Sequence, residues 1–303
     1  MRTAVIGIGS NSVRMRLVDV ENGRGKLVRR EREGTRLFAG LDGEGNLSAA
    51  SMATTLAAVQ RMADGARRDG AEEVFLFATS ATRDAKNGAE FAALLQETAQ
   101  VKLEICSGEE EAVLSFLGAT DGGHCGVIDI GGGSTEIVVG RDENIYCAFS
   151  CQMGAVRLQR LIPVTSHEDV PLVEAAADAI LMEQLAKHPT LTLPEKWIGT
   201  GGTFTTMAAL VKDVRWTECV HHGTVLTLEA VEHQARRLAD MTLEERLQLH
   251  SLQPKRADII VHGISILSAV MKRLGIASLR VSEYGNTEGY IKRKYGLHED
   301  IRP

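Results

Sequence analysis

The chain has 303 residues, of which 44% are hydrophobic, 24% charged and only 4% aromatic, a composition that excludes disorder as the main state and suggests about two domains. Lys and Arg number 34 against 40 Asp and Glu, for a net charge of −6, which argues against coating nucleic acid or an anionic membrane. Apolar runs such as 74–78 fall far short of the roughly 20 residues of a membrane helix, and Met1 leads straight into a strand-like segment rather than a signal peptide, so the expected location is the cytoplasm.

In chain order, residues 2–8 and 13–20 read as two strands around a Gly-Ser-Asn turn, with a third over 27–37. Apolar residues at Met52, Leu56, Val59 and Met62 give helical spacing over 48–68, residues 74–78 are a β run, and 85–99 is again helical. A short strand ends at Ile105. Ser107-Gly108-Glu109-Glu110 then opens a helix through Leu117, with Ser107 and Glu110 at the two ends of a capping box. Gly122-Gly123 marks a domain boundary. Beyond it come a strand pair near 127–139, helices near 153–161 and 168–188, a strand at 197–199 and several helices. Five Cys at 106, 125, 147, 151 and 219 form no C-x-x-C, which predicts reduced thiols rather than a zinc site or a disulfide framework.

An internal repeat is the most informative feature. Val5-Ile6-Gly7-Ile8-Gly9-Ser10-Asn11-Ser12 overlays Val127-Ile128-Asp129-Ile130-Gly131-Gly132-Gly133-Ser134 without a gap at an offset of 122, and five of the eight positions are identical. Each copy is followed by a second apolar strand, so two related domains with a strand, Gly turn, strand hairpin are expected. Gly-rich turns expose successive backbone N–H groups with no Cβ in the way, a geometry suited to phosphate. Gly199-Thr200-Gly201-Gly202-Thr203 adds a third such loop, between a strand and a helix start.

These three loops, with Thr79 to Asn87, Ser107 to Ala112, His222-Gly223, Arg256-Ala257-Asp258 and Ser282 to Gly289, resemble the exopolyphosphatase and guanosine pentaphosphate phosphohydrolase family in its short form. The resemblance implies an α/β fold of two actin-like domains, of the ribonuclease H-like actin, sugar kinase and Hsp70 type, flanking a cleft. The domains are then 1–121 and 122–303, with the last helix, about 287–296, a candidate to pack back onto domain 1. The implied activity is hydrolysis of phosphoanhydride bonds, releasing terminal phosphate from inorganic polyphosphate or guanosine pentaphosphate. A homodimer is the default expectation.

Such a hydrolase must neutralise phosphoryl oxygens and orient water. Asp129 and Glu136 flank the second Gly loop and can converge on a hydrated Mg²⁺ or another divalent cation; the resemblance gives them that role. It also places the catalytic carboxylate at Glu111, which the capping box leaves separate from Glu110. Arg83 has the planar fork that suits a terminal phosphate, and the resemblance assigns it there; an ion pair with Asp84 or Glu90 is the competing account. The phosphate-binding set is Gly9, Ser10, Asn11, Ser12, Arg83, Gly131, Gly132, Gly133, Ser134, Gly201, Gly202 and Thr203. The basic stretch 24–36 reads as a solvated strand face rather than a phosphate track, and His222 is a further cleft candidate.

Two features depart from the family pattern. Gly7 stands where its first loop carries Asp, a loss the repeat makes visible because Asp129 holds the equivalent place. The segment 282–289 also differs. The alternative to a hydrolase is therefore a weakly active polyphosphate or nucleotide sensor of the same fold, with a small-molecule phosphotransferase as a third reading.

Overall fold

Three antiparallel strands, Arg2–Ile8 (β1), Val13–Glu21 (β2) and Arg24–Glu33 (β3), open the computed structural model, which describes residues 1–297 and 301. β1 is buried from Thr3 to Ile8, whereas β3 alternates exposed and half-buried residues. That difference makes β3 the charged edge of the sheet, the usual protection against edge-to-edge pairing. The strand expected over 27–37 stops at Glu33 because Thr35 and Arg36 turn their N–H groups to the Asn11 carbonyl and Phe38 turns its own to the Ser10 carbonyl. The chain after β3 is thereby fastened over the first Gly loop.

Ala49–Arg68 (α1) is capped by the Ser48 hydroxyl, which accepts the Ser51 N–H at 3.2 Å. Glu73–Ala78 (β4) runs parallel to β1. A short helix that the sequence reading did not mark, Ser80–Asp84 (α2), follows β4, and after an extended Ala85 the helix expected over 85–99 runs from Gly88 to Ala99 (α3). Leu103–Ile105 (β5) joins parallel to β4, and Gly108–Ala119 (α4) follows. The sheet order is β3-β2-β1-β4-β5.

The second half repeats this plan. His124–Ile130 (β6), Thr135–Arg141 (β7) and Asn144–Cys151 (β8) form the meander. Ala155–Leu161 (α5) and Val170–Leu185 (α6) lead to Trp197–Thr200 (β9), parallel to β6, and then to Gly202–Lys212 (α7). Val225–Thr227 (β10), Leu228–Ala239 (α8), Leu243–Leu247 (α9), Ile260–Leu274 (α10) and Ser278–Ser282 (β11) complete it. The order β10-β11-β9-β6-β7-β8 contains the first sheet's arrangement, with β8-β7-β6-β9-β11 matching β3-β2-β1-β4-β5. α10 is buried along almost its whole length and anchors the apolar cluster of this half.

Asn286–Tyr295 (α11) belongs to the first half. Residues 1–121 and 284–303 form one unit and 122–283 the other, so the second domain expected over 122–303 loses its last segment. The physical reason is on α11 itself. Glu288 forms a buried ion pair with Arg16 of β2, and Tyr290 stacks on Phe77 of β4 with ring centroids 5.2 Å apart. Tyr290, Ile291, Leu297 and Ile301 share one apolar cluster with Val5, Val18 and Leu114. The tail residues 298–300 and 302–303 lie outside the described residues.

Candidate active site

In an open parallel arrangement, ligands collect beyond the carboxyl ends of the strands. In the first unit those ends carry Gly9-Ser10 after β1, Thr79-Ser80 after β4 and Cys106-Ser107 after β5. Thr79 donates its N–H to the Ile8 carbonyl at 3.1 Å and Cys106 to the Ala78 carbonyl at 2.9 Å, so each loop is stitched to its neighbour. The Ser10 and Ser80 hydroxyls are 2.8 Å apart.

Arg83 and Glu111 are brought together at this edge, 3.5 Å between Nη1 and Oε2. Arg83 also donates through Nη1 to the Cys106 carbonyl at 2.8 Å and through Nε to Asp84 Oδ1 at 3.2 Å. The Asp84 pairing weighed from sequence thus exists, but it occupies only one face of the guanidinium. The three consecutive glutamates of α4 separate sharply. Glu110 Oε2 accepts the Ser107 N–H at 2.8 Å while Ser107 Oγ accepts the Glu110 N–H at 3.1 Å, completing the capping box, and the bonds from Ser107 hold the Glu110 carboxyl below its ordinary range. Glu109 and Glu110 are exposed, whereas Glu111 is buried at 6% exposure. Nearby, burial and the Glu111 charge push the Cys106 thiol up to about 12, which leaves it protonated and inert as a nucleophile.

The two Gly loops share one turn. Gly9 donates its N–H to the Ser12 carbonyl at 3.0 Å, and Gly131 to the Ser134 carbonyl at 2.9 Å. In the second unit the outward carbonyls are occupied: Gly131 accepts from Ala155, Gly132 from Val156 and Arg157, and Gly133 from Arg157 Nε. Among the described residues, the N–H groups of Ser10, Asn11, Gly132 and Gly133 donate to no protein acceptor. A row of donors without acceptors is an anion cradle.

The third loop completes the strand-end edge of the second unit. Gly201 has φ +97°, a left-handed conformation that a side chain disfavours, and its missing Cβ would lie 2.6 Å from Asp129 Oδ1. Gly202 starts α7 with the buried Arg256 guanidinium packed against it, where any Cβ would collide. Arg256 was noted in sequence only within an Arg-Ala-Asp string; its position beside a helix N-terminus is the signal that spacing could not supply.

Asp129 and Glu136 are direct cross-strand partners, 7% and 1% exposed, and Ser150 donates its hydroxyl to Glu136 Oε1 at 2.7 Å. Register extends this pair into a line, Ser150, Glu136, Asp129, Thr200 and Ser282, one residue on each of five neighbouring strands. The same line in the first unit reads Arg32, Arg14, Gly7, Phe77 and Glu104. Gly7 is therefore the true counterpart of Asp129, and its neighbour is Phe77 where Asp129 has Thr200. A Cβ on Gly7 would lie 2.6 Å from Phe77 Cζ, so the ring fills the place a carboxylate would take.

Among the described residues no three His, Cys, Asp or Glu side chains gather as a closed metal centre. A hydrated Mg²⁺ needs only one or two carboxylates, its other positions going to water and phosphate, and the Asp129–Glu136 pair fits that demand. His222 lies on a segment that extends β10 along β11, where Gly223 donates its N–H to the Val281 carbonyl. Its neighbour His221, which the sequence did not single out, holds Glu283 Oε1 at 2.9 Å through Nδ1. All five cysteines are unbridged, and no described helix is long and apolar enough to cross a membrane.

Residues 17–298 match the model of the Ppx/GppA phosphatase family. Exopolyphosphatase 2 of Mycobacterium tuberculosis is 34% identical over 314 residues, covering 95% of this chain and 97% of that protein. The guanosine-5'-triphosphate,3'-diphosphate pyrophosphatase of Photobacterium profundum is 28% identical over 99% of this chain, which spans 61% of its length. Among solved structures, the PPX-GPPA enzyme of Aquifex aeolicus superposes with a TM-score of 0.80 at 27% identity, over 96% of this chain and 98% of that one.

Proposed function

The chain belongs to the Ppx/GppA phosphatase family, and from that premise we propose that it hydrolyses phosphoanhydride bonds, releasing terminal phosphate from inorganic polyphosphate or guanosine pentaphosphate. The observation that carries the reading is the convergence of Arg83 and the buried Glu111 at one strand-end edge. The sensor reading drawn from Gly7 is not favoured, because relatives matching nearly the whole chain bear enzyme names. We place the protein in the cytoplasm.

In this reading Glu111 accepts the proton of the attacking water and holds its oxygen in line with the terminal phosphorus. Arg83 reaches the equatorial phosphoryl oxygens with guanidinium edges that Asp84 and Cys106 leave exposed, and its fixed fork spares reorganisation as charge spreads. The Ser10, Asn11 and Ser12 turn, the Gly131, Gly132, Gly133 and Ser134 turn, and the Gly201, Gly202 and Thr203 loop with Arg256 hold further phosphates by backbone N–H groups and hydroxyls. Asp129 and Glu136 would hold Mg²⁺, which when bound supplies charge neutralisation to phosphate oxygens. Ser150 fixes one Glu136 oxygen and so orients the other.

The test is phosphate release from long-chain polyphosphate, with and without Mg²⁺, by the natural chain and by Glu111→Gln. The expected result is metal-dependent release that the substitution lowers by roughly 10² to 10⁴. An unchanged rate in Glu111→Gln removes Glu111 from the role of base, and release independent of metal removes the Mg²⁺ assignment.

A further inference from the structure

A cavity of about 390 Å³ opens at the opposite end of the second sheet. His124 begins β6 and Ile130 ends it, so the cavity lies roughly 20 Å along the strand from the Gly131 loop. Its chemistry is one-sided. His124, Lys187, His188, Thr190 and Thr192 bring side-chain donors to the lining, and no carboxylate lines it. Burial pushes the Cys147 thiol up, so this lining residue adds no negative charge.

Two features indicate a built site. His124 Nε2 is buried yet has no hydrogen-bond partner among the described residues, and a buried polar atom left unsatisfied is costly. The imidazoles are also positioned by neighbours: His188 stacks on Phe149 at 5.4 Å, and His124 packs against Tyr146 at 5.9 Å. Lys187 is exposed, with a single contact of 3.2 Å to Gln184 Oε1 and a long pairing of 3.9 Å to Glu183, so its ammonium can turn inward at little cost.

We propose that this cavity binds a phosphate monoester as a second anion site, separate from the strand-end loops. Donors on five side chains exceed what the two oxygens of a carboxylate can use and suit the three of a phosphate. The volume exceeds that of a bare phosphate and falls in the range of small-molecule sites, and the Tyr146 ring and Leu191 offer an apolar wall to the organic part.

Phenylphosphonate, whose carbon–phosphorus bond resists hydrolysis, serves as the probe, with benzoate as the carboxylate comparator. The His124 and His188 ring resonances of the full chain are followed by NMR. Phenylphosphonate is expected to shift both rings saturably. Lys187→Gln, a surface change that leaves phosphate release from polyphosphate unaltered, weakens that binding about tenfold, and Glu111→Gln leaves it unchanged. Rings that do not move, or equal affinity in Lys187→Gln, would overturn the site. Benzoate binding as tightly as phenylphosphonate overturns the assignment to phosphate.

Discussion

A single missing side chain, at Gly7, shows how local geometry constrains what substitution can restore. The repeat suggests that Gly7→Asp would rebuild the carboxylate of the second hairpin, yet the new Cβ would meet the ring of Phe77, which is fully buried and stacked on Tyr290. Overpacking of this kind costs typically about 1–3 kcal/mol. Gly7→Asp should therefore lower the urea midpoint. A single substitution as stable as the natural chain would show that the ring yields freely. The residue scale is also where sequence was most legible: the capping box read over Ser107 and Glu110 is present, and Glu111, outside it, is buried. Phe77 was illegible there, because nothing in a string of letters says which residue lies across a parallel pair seventy positions away.

At the scale of elements, the hairpins and the helices over 49–68, 155–161 and 170–185 follow from period and turn chemistry, while the misread boundaries share one cause. The third strand stops early and the helix expected from residue 85 starts only at Gly88 because tertiary hydrogen bonds, to the Asn11 carbonyl and from the Lys86 N–H to the Gly45 carbonyl, outcompete local propensity. β10 and β11 escaped notice because, at three and five residues, they are short and take their strand state from neighbours; β8, eight residues without a charge, escaped although its sequence is strand-like. α4 and α11 illustrate the same dependence. A Cβ on Gly118 would strike the Gly285 carbonyl, and one on Gly289 the Leu114 carbonyl, so the two helices touch backbone to backbone. Gly118→Ala and Gly289→Ala are each expected to lower stability by about 3 kcal/mol, measured by chemical unfolding; a neutral effect in both would mean that the crossing readily widens.

For the whole molecule, the division into 1–121 with 284–303 and 122–283 makes a prediction about fragments. A chain of residues 122–283 holds its own apolar cluster and should unfold cooperatively by itself. Residues 1–121 alone lack Tyr290, Ile291 and Leu297 of the apolar cluster and Glu288, the ion-pair partner of Arg16. They should remain unfolded until residues 284–303 are rejoined through a short linker, as circular dichroism would report. A folded 1–121 fragment would show that α11 is dispensable.

The return of α11 also sets a timetable for synthesis. A ribosome delivers residues 1–121 first, but the helix that closes their core emerges last, after the entire second unit. At ordinary elongation rates that delay is on the order of 10 to 30 seconds. Throughout it, the unpaired face of β1 and β4 is available to chaperones or to other nascent chains. The second unit, encoded without interruption, can mature meanwhile, so the half of the protein made first is the half that finishes folding last.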